Sequence, residues 1–191
     1  DESAGNRTLP VRLSVQSGRT VTVPYRVTRG TATLGRDYTL ASGTLTFQPG
    51  QIQKSIPLTI RNDQNDEFDE NFVVAMGTPT NATLGVQSTY LVTIADNDLA
   101  PSIGFSSASS SVLESAGTAL VTVSLSVASG KTVRVNYAVS NGTATGGGVD
   151  FTGSSGTLTF RPGETTHTIP VTITNDTLRE SAETIRIQLS S

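Results

Sequence analysis

The chain is written twice. Thr20-Val21-Thr22-Val23-Pro24-Tyr25-Arg26-Val27 returns as Thr132-Val133-Arg134-Val135-Asn136-Tyr137-Ala138-Val139, a shift of 112. Gly30-Thr31-Ala32-Thr33 returns as Gly142-Thr143-Ala144-Thr145 at the same shift. One extra residue in Gly146-Gly147-Gly148 then moves the register to 113, so that Asp37-Tyr38 matches Asp150-Phe151. Gly43-Thr44-Leu45-Thr46-Phe47 likewise matches Gly156-Thr157-Leu158-Thr159-Phe160, and Ile60-Arg61-Asn62-Asp63 matches Ile173-Thr174-Asn175-Asp176. A period this long is a domain rather than a solenoid unit. Two copies of one module are therefore expected, 1–99 and 100–191, and any site should occur twice.

Each module shows period-two alternation bounded by turn residues, and no helical stripe with caps. Strands are expected at Leu9 to Val15, Val21 to Thr28, Gly43 to Phe47, Ser55 to Arg61, Asn71 to Met76 and Thr89 to Ile94. The second module repeats them at Ala119 to Leu125, Val133 to Ser140, Gly156 to Phe160, His167 to Thr174 and Thr184 to Leu189. Many short strands at this spacing predict an all-β chain of two tandem immunoglobulin-like antiparallel β-sandwiches. Pro57 and Pro170 fall inside strands, which places those strands at a sheet edge or on a bulge. The second module opens with Ser102-Ile103-Gly104-Phe105, which has no counterpart before Glu2. The second module in turn lacks a counterpart of Tyr90 to Ile94 and Asp96-Asn97-Asp98. The first module is thus read as lacking its opening strand and the second as lacking its closing strand.

In a sandwich of reversing strands, alternate connections share an end. The turns near Gly18, Gly50 and Gly77 to Gly85 share one end and carry no acid. The other end collects Asp1, Glu2, Asp37, Asp63, Asp66, Glu67, Asp69, Glu70, Asp96 and Asp98 in the first module. Glu114, Asp150, Asp176, Glu180 and Glu183 follow in the second, so that of 16 acidic residues only Glu164 falls elsewhere. Crowded like charges repel unless a cation neutralises them. An oxygen-only donor set without Cys or His suits a hard cation, and Ca2+ fits flexible loops better than Mg2+. Arg29, Arg36 and Arg61 lie near the same end and offer a metal-free way to neutralise some of this charge. The second module has Asn141, Gly147 and Thr174 at those places.

These motifs resemble the Calx-beta family, found in the regulatory loop of sodium/calcium exchangers, in integrin β4 and in bacterial surface proteins. The resemblance rests on Glu2-Ser3-Ala4-Gly5 and Glu114-Ser115-Ala116-Gly117, and on Gly30-Thr31-Ala32 leading to Asp37-Tyr38. It also rests on Gly43 to Gly50, on Ile60 to Asp63 with Glu67 and Glu70, and on Asp96-Asn97-Asp98. The resemblance implies calcium ligands at Glu2, Asp37, Asp63, Glu67, Glu70, Asp96 and Asp98 in the first module. In the second it implies Glu114, Asp150, Asp176, Glu180 and Glu183. Asn62, Asn175 and Asn97 replace acids of the exchanger's module and reduce the charge.

Net charge is −3 with only two lysines, which argues against a nucleic-acid partner. There is no cysteine, and no apolar run long enough to span a membrane. The single histidine, His167, lies at the end away from the acids, and no nucleophile elbow is present, so no enzyme is expected. The leading functional expectation is a structural, adhesive, calcium-binding repeat of an extracellular bacterial surface protein or filament, secreted or at the cell surface. Its partners would be neighbouring modules or identical subunits joined head to tail by strand complementation. The alternative is a calcium-sensing regulatory module of a membrane transporter or receptor.

Overall fold

The structure, a computed structural model, describes residues 1–190. These residues form strands, turns and two single 3-10 turns at Glu2–Ala4 and Glu114–Ala116. No helix among them is long and apolar enough to cross a membrane. The chain divides into two compact units. The first comprises Asp1–Gln64 and Phe68–Asp98, and the second comprises Asn65–Glu67 and the chain from Leu99 onward.

The first unit contains β1 (Asn6–Arg12), β2 (Val21–Gly30), β3 (Tyr38–Thr39), β4 (Gly43–Phe47), β5 (Gln53–Ile60), β6 (Glu70–Met76) and β7 (Thr89–Ile94). One sheet runs β1-β5-β3 and the other β4-β2-β6-β7. Every pairing is antiparallel. Alternation does what it should: Ile56, Leu58 and Ile60 of β5 and Leu45 and Phe47 of β4 turn inward. Phe47 and Phe72 are fully buried, and Tyr38 stacks on Phe72 at 3.9 Å between ring centres. Burying each such side chain stabilises by roughly 1.5–3 kcal/mol, and these contacts tie the two sheets together.

The second unit contains β8 (Ile103–Phe105), β9 (Thr118–Leu125), β10 (Val133–Asn141), β11 (Phe151–Thr152), β12 (Gly156–Phe160), β13 (Thr166–Ile173) and β14 (Ile185–Ser190). Its sheets run β11-β13-β9-β8 and β12-β10-β14. Phe160, Ile169, Val171 and Val123 form its buried centre. The all-β expectation of two antiparallel sandwiches holds. The strand-length β3 and β11 are too short to leave an alternation signal.

The proline expectation needs correcting. β5 and β13 are interior strands, not edges, and carry no bulge at the proline. Hydrogen bonds from Ile60 N–H to Gly5 and from Arg61 N–H to Asp37 show that odd-numbered residues of β5 face β3. Pro57 therefore faces β3's side of the sheet, but β3 stops at the Thr39–Thr59 pair, so no ladder bond is lost. Pro170 sits the same way, past the Thr152–Thr172 pair of β11. The one bulge between named strands of the first unit lies at Val27/Arg29 of β2, opposite β6.

β1 is a true edge. Leu13 N–H donates to Ile52 at 2.9 Å and Ile60 N–H to Gly5 at 2.9 Å, so the odd residues bond to β5. Asn6, Thr8, Pro10 and Arg12 turn their backbone outward, and Pro10 has no N–H to present there.

Candidate metal centre

The repeated Gly-Thr-Ala motif places the first acidic loop of each unit. A Cβ on Gly30 would lie 2.1 Å from the Asn71 carbonyl oxygen, and one on Gly142 would lie 2.3 Å from that of Thr184. Only glycine permits that approach. Ala32 N–H then donates to Asn71 C=O and Ala144 N–H to Thr184 C=O. Thr31 Oγ1 accepts the Asn71 N–H at 2.9 Å, and Thr143 Oγ1 accepts the Thr184 N–H at 2.8 Å. The loop is thereby pinned to the strand end. Three residues after the glycine, Thr33 N–H donates to Asp37 Oδ2 at 2.5 Å and Thr145 N–H donates to Asp150 Oδ2 at 2.6 Å. One oxygen of each aspartate closes its loop, which leaves the other for the cluster.

In the first unit, Glu2, Asp63 and Asp98 each bring a carboxylate oxygen within 4.8 Å of the others. Glu2 is 6% exposed, held by its own N–H on the Ala95 carbonyl. The Asp98 N–H donates to Asp96 Oδ1, and the Asp96 N–H donates to Asp69 Oδ1. Asp96 and Asp69 thus shape the segment that carries Asp98. Asp98 Oδ2 is buried and accepts no hydrogen bond from the described residues. Asp37, 5% exposed, and Glu70 also bring oxygens within 4.8 Å of each other. The Arg36 side chain lies 3.7 Å from Asp37 Oδ1 and offsets part of that charge.

In the second unit, Asp150, Glu180 and Glu183 bring oxygens within 4.8 Å of one another, and none of the three is buried. Partial loss of water around its carboxyl group, and then the Asp150, Asp176 and Glu114 charges, push Glu180 above the ordinary glutamate range. Partial desolvation, then Asp150, Glu180 and Glu114, do the same to Glu183. Five carboxylates therefore share one electrostatic neighbourhood. Asp176 Oδ1 also accepts the Leu178 N–H at 2.6 Å, folding its own loop.

Glu67 lies in the three-residue segment that belongs to the second unit. There Asn65 Nδ2 donates to its Oε1 at 2.8 Å, and its side chain packs on Gly130. Its neighbour Asp66, 5% exposed, accepts from Ser129 Oγ at 2.9 Å and from Lys131 Nζ at 2.6 Å. The Lys131 hydrogen bond holds Asp66 below the usual carboxylate range. Sequence reading counted Asp66 among the acids but could not foresee a lysine 65 residues away. His167 pairs with Glu164 at 3.0 Å, edge-on to Phe160, and belongs to none of the acidic groups among the described residues.

Oxygens bound to one calcium at 2.3–2.6 Å lie at most about 5 Å apart, and to one magnesium about 4 Å apart. The clusters meet the first limit. The all-oxygen donor set and the unbonded Asp98 Oδ2 fit a hard cation.

The Calx-beta domain model matches residues 1–98 and 96–191. Sodium/calcium exchanger 1 of Bos taurus is 36% identical over 188 aligned positions, covering 89% of this chain and 19% of that protein. Sodium/calcium exchanger 2 of Homo sapiens is 33% identical over 205 aligned positions, covering 98% of this chain and 22% of that protein. The chain thus spans about a fifth of the curated relatives it matches. Among solved structures, CBD12 from CALX1.2 is 28% identical at a TM-score of 0.49, covering 90% of this chain and 69% of that one. These relatives overturn the leading expectation. The chain resembles parts of ion exchangers, so the adhesive surface-protein and filament reading is withdrawn, and with it the extracellular placement. Charge clustering and strand pattern report a fold and a cation site, and by themselves do not separate an adhesive from a regulatory module.

Proposed function

Because the chain belongs to the Calx-beta domain family, we propose that it is a calcium-sensing regulatory module of a membrane transporter of the sodium/calcium exchanger type. In this reading it lies in a cytosolic loop and acts by binding rather than by catalysis. Its two modules divide at 99/100, and neighbouring modules of the same protein are its partners. The observation that carries the proposal is the convergence of Glu2, Asp63 and Asp98, with the buried Asp98 oxygen left unbonded. The first site would draw on Glu2, Asp37, Asp63, Glu67, Glu70, Asp96 and Asp98. The second would draw on Glu114, Asp150, Asp176, Glu180 and Glu183.

Calcium, when bound, supplies the positive charge that relieves carboxylate repulsion and joins loops from distant parts of the sequence. The protein's share is positioning. Thr33 and Thr145 orient the two loop aspartates, Asp69 and Asp96 orient Asp98, and the glycine contacts hold each loop to its strand. A sensor needs sites that change the protein when filled. Loops held apart by repulsion without the ion and drawn together with it would provide that change. Gly148 N–H bonds Phe151 C=O as Gly35 N–H bonds Tyr38 C=O, which sets Val149 rather than Gly147 in place of Arg36, so the second aspartate lacks the built-in cation of the first. The two sites should therefore differ in affinity.

Calorimetric titration with calcium and with magnesium tests the proposal. Saturable calcium heats that survive excess magnesium are expected. No calcium binding up to millimolar, or equal binding of both ions, would refute it.

A further inference from the structure

The loop that carries Asp37 also carries a positive charge beside it. Arg36 N–H and Asp37 N–H both donate to the Thr33 carbonyl, at 3.2 and 3.0 Å, and Gly35 N–H donates to Tyr38 C=O at 2.8 Å. This tight turn sets the two side chains next to each other. The Thr33 N–H takes Asp37 Oδ2. Arg36 Nε lies 3.7 Å from Oδ1, the oxygen that loop closure leaves over. The Asp37 side chain is 5% exposed and that of Arg36 is 53% exposed. The carboxylate is therefore held in place, while the guanidinium has room to swing out into water.

The second unit builds the same loop without that charge. The Thr145 N–H takes Asp150 Oδ2, and Val149, 59% exposed, stands where the first unit has Arg36. Its carboxylates are left to one another: desolvation and then the Asp150 charge push both Glu180 and Glu183 above the ordinary glutamate range. The first unit answers the same crowding of Asp37 and Glu70 with an arginine.

We propose, resting on the calcium-sensing reading above, that Arg36 is a resident counter-ion of the first site. It holds Asp37 Oδ1 while no calcium is present and gives that oxygen up when the ion binds. It thereby sets the calcium level at which the first unit responds. A calcium held by Oδ1 at about 2.4 Å lies within about 6 Å of Arg36 Nε in its present position. At about 6 Å in water, a unit charge and a divalent ion repel enough to weaken binding about tenfold. Because the side chain can move away, about three- to tenfold is expected. The same charge steadies the loop when the ion is absent. Removing it should therefore act with opposite sign on calcium affinity and on ion-free stability. A residue that only shaped the loop would move both in the same direction.

The test uses the 191-residue chain and its variants Arg36→Val, Arg36→Lys and Val149→Arg. Calcium titrations are followed by NMR at the Thr33 and Thr145 amides, which report on the two loops separately, and melting is measured in chelator. Arg36→Val should tighten binding at Thr33 by about three- to tenfold and leave Thr145 unchanged. It should also lower the chelator melting temperature of the first unit by about 1–4 °C. Arg36→Lys keeps the charge and should stay within about twofold of the wild type. Val149→Arg should weaken binding at Thr145 by about three- to tenfold. In about 1 M potassium chloride, which screens charges beyond about 3 Å, the gap between Arg36→Val and the wild type should narrow. Unchanged or weaker calcium binding in Arg36→Val, or equal tightening in Arg36→Lys, would overturn the proposal and leave the calcium reading standing. A wild-type chain whose Thr33 signal ignores millimolar calcium would overturn both.

Discussion

Asp37 performs two tasks with one carboxylate, and two substitutions separate them. Its Oδ2 accepts the Thr33 N–H, which closes the loop, and its charge joins that of Glu70. Asp37→Ala removes both. Asp37→Asn keeps an amide oxygen for Thr33 and removes only the charge. A hydrogen bond to a charged acceptor is worth about 1.5–3 kcal/mol, and Thr33 is exposed, so the lower part of that range applies. In chelator, then, the alanine variant should lose about 1–2 kcal/mol and the asparagine variant almost nothing. Calcium at a hundred times Kd adds about 2.7 kcal/mol to the wild type, and a hundredfold weaker site retains only about 0.4 kcal/mol of that. In calcium, both variants should therefore fall a further ~2 kcal/mol behind. The assay is urea unfolding in chelator and in millimolar calcium, following the first unit through NMR signals of the Tyr38–Phe72 stack. If Asp37→Asn keeps the full calcium increment, the charge of Asp37 plays no part in the site.

Asp150→Asn should weaken calcium binding in the second unit and leave the first unit's titration unchanged; calorimetry showing loss of all binding would contradict separate sites. Glu183→Gln bears on pH. The raised pKa of Glu183 means that its stabilising contribution is fully present below its ordinary value of 4.5 and is lost as pH rises through the raised one. In chelator the variant should melt above the wild type at pH 7, with the gap closing toward pH 4; a gap independent of pH would refute the repulsion. Gly30→Ala should destabilise by at least ~2 kcal/mol in urea, because a Cβ meets backbone at 2.1 Å rather than a movable side chain. Lys131→Ala should lower the melting temperature of the second unit at neutral pH. The difference should shrink as acid protonates Asp66, whose depressed pKa gives stability that is lost as pH falls through it.

Local patterns carried most of the architecture. Alternation located the long strands because each buries one face, and Ile56, Leu58 and Ile60 could be read directly. Alternation failed where the deciding fact was another strand's length. Pro57 reads as an edge residue, yet it is tolerated in an interior strand because β3 ends two residues early. The Gly-Thr-Ala motif was visible as a repeat, but its reason, backbone packed against Asn71 and Thr184, was not. At the site, the one-ended acids predicted which loops would meet. Which acid meets which depended on partners far off in sequence. Asp66 and Glu67 are adjacent and chemically alike, yet Asp66 is taken by Lys131 and Ser129.

Pro10 changes what the outer side of β1 can offer, because its nitrogen carries no hydrogen. A strand edge with every N–H and C=O available would zip to almost any extended chain, including misfolded neighbours, because backbone bonds ignore sequence. Deleting one donor in the middle of the run interrupts such zipping, and a newcomer gains little from the backbone alone. The proline thus breaks the run of donors along β1 and weakens indiscriminate backbone pairing there.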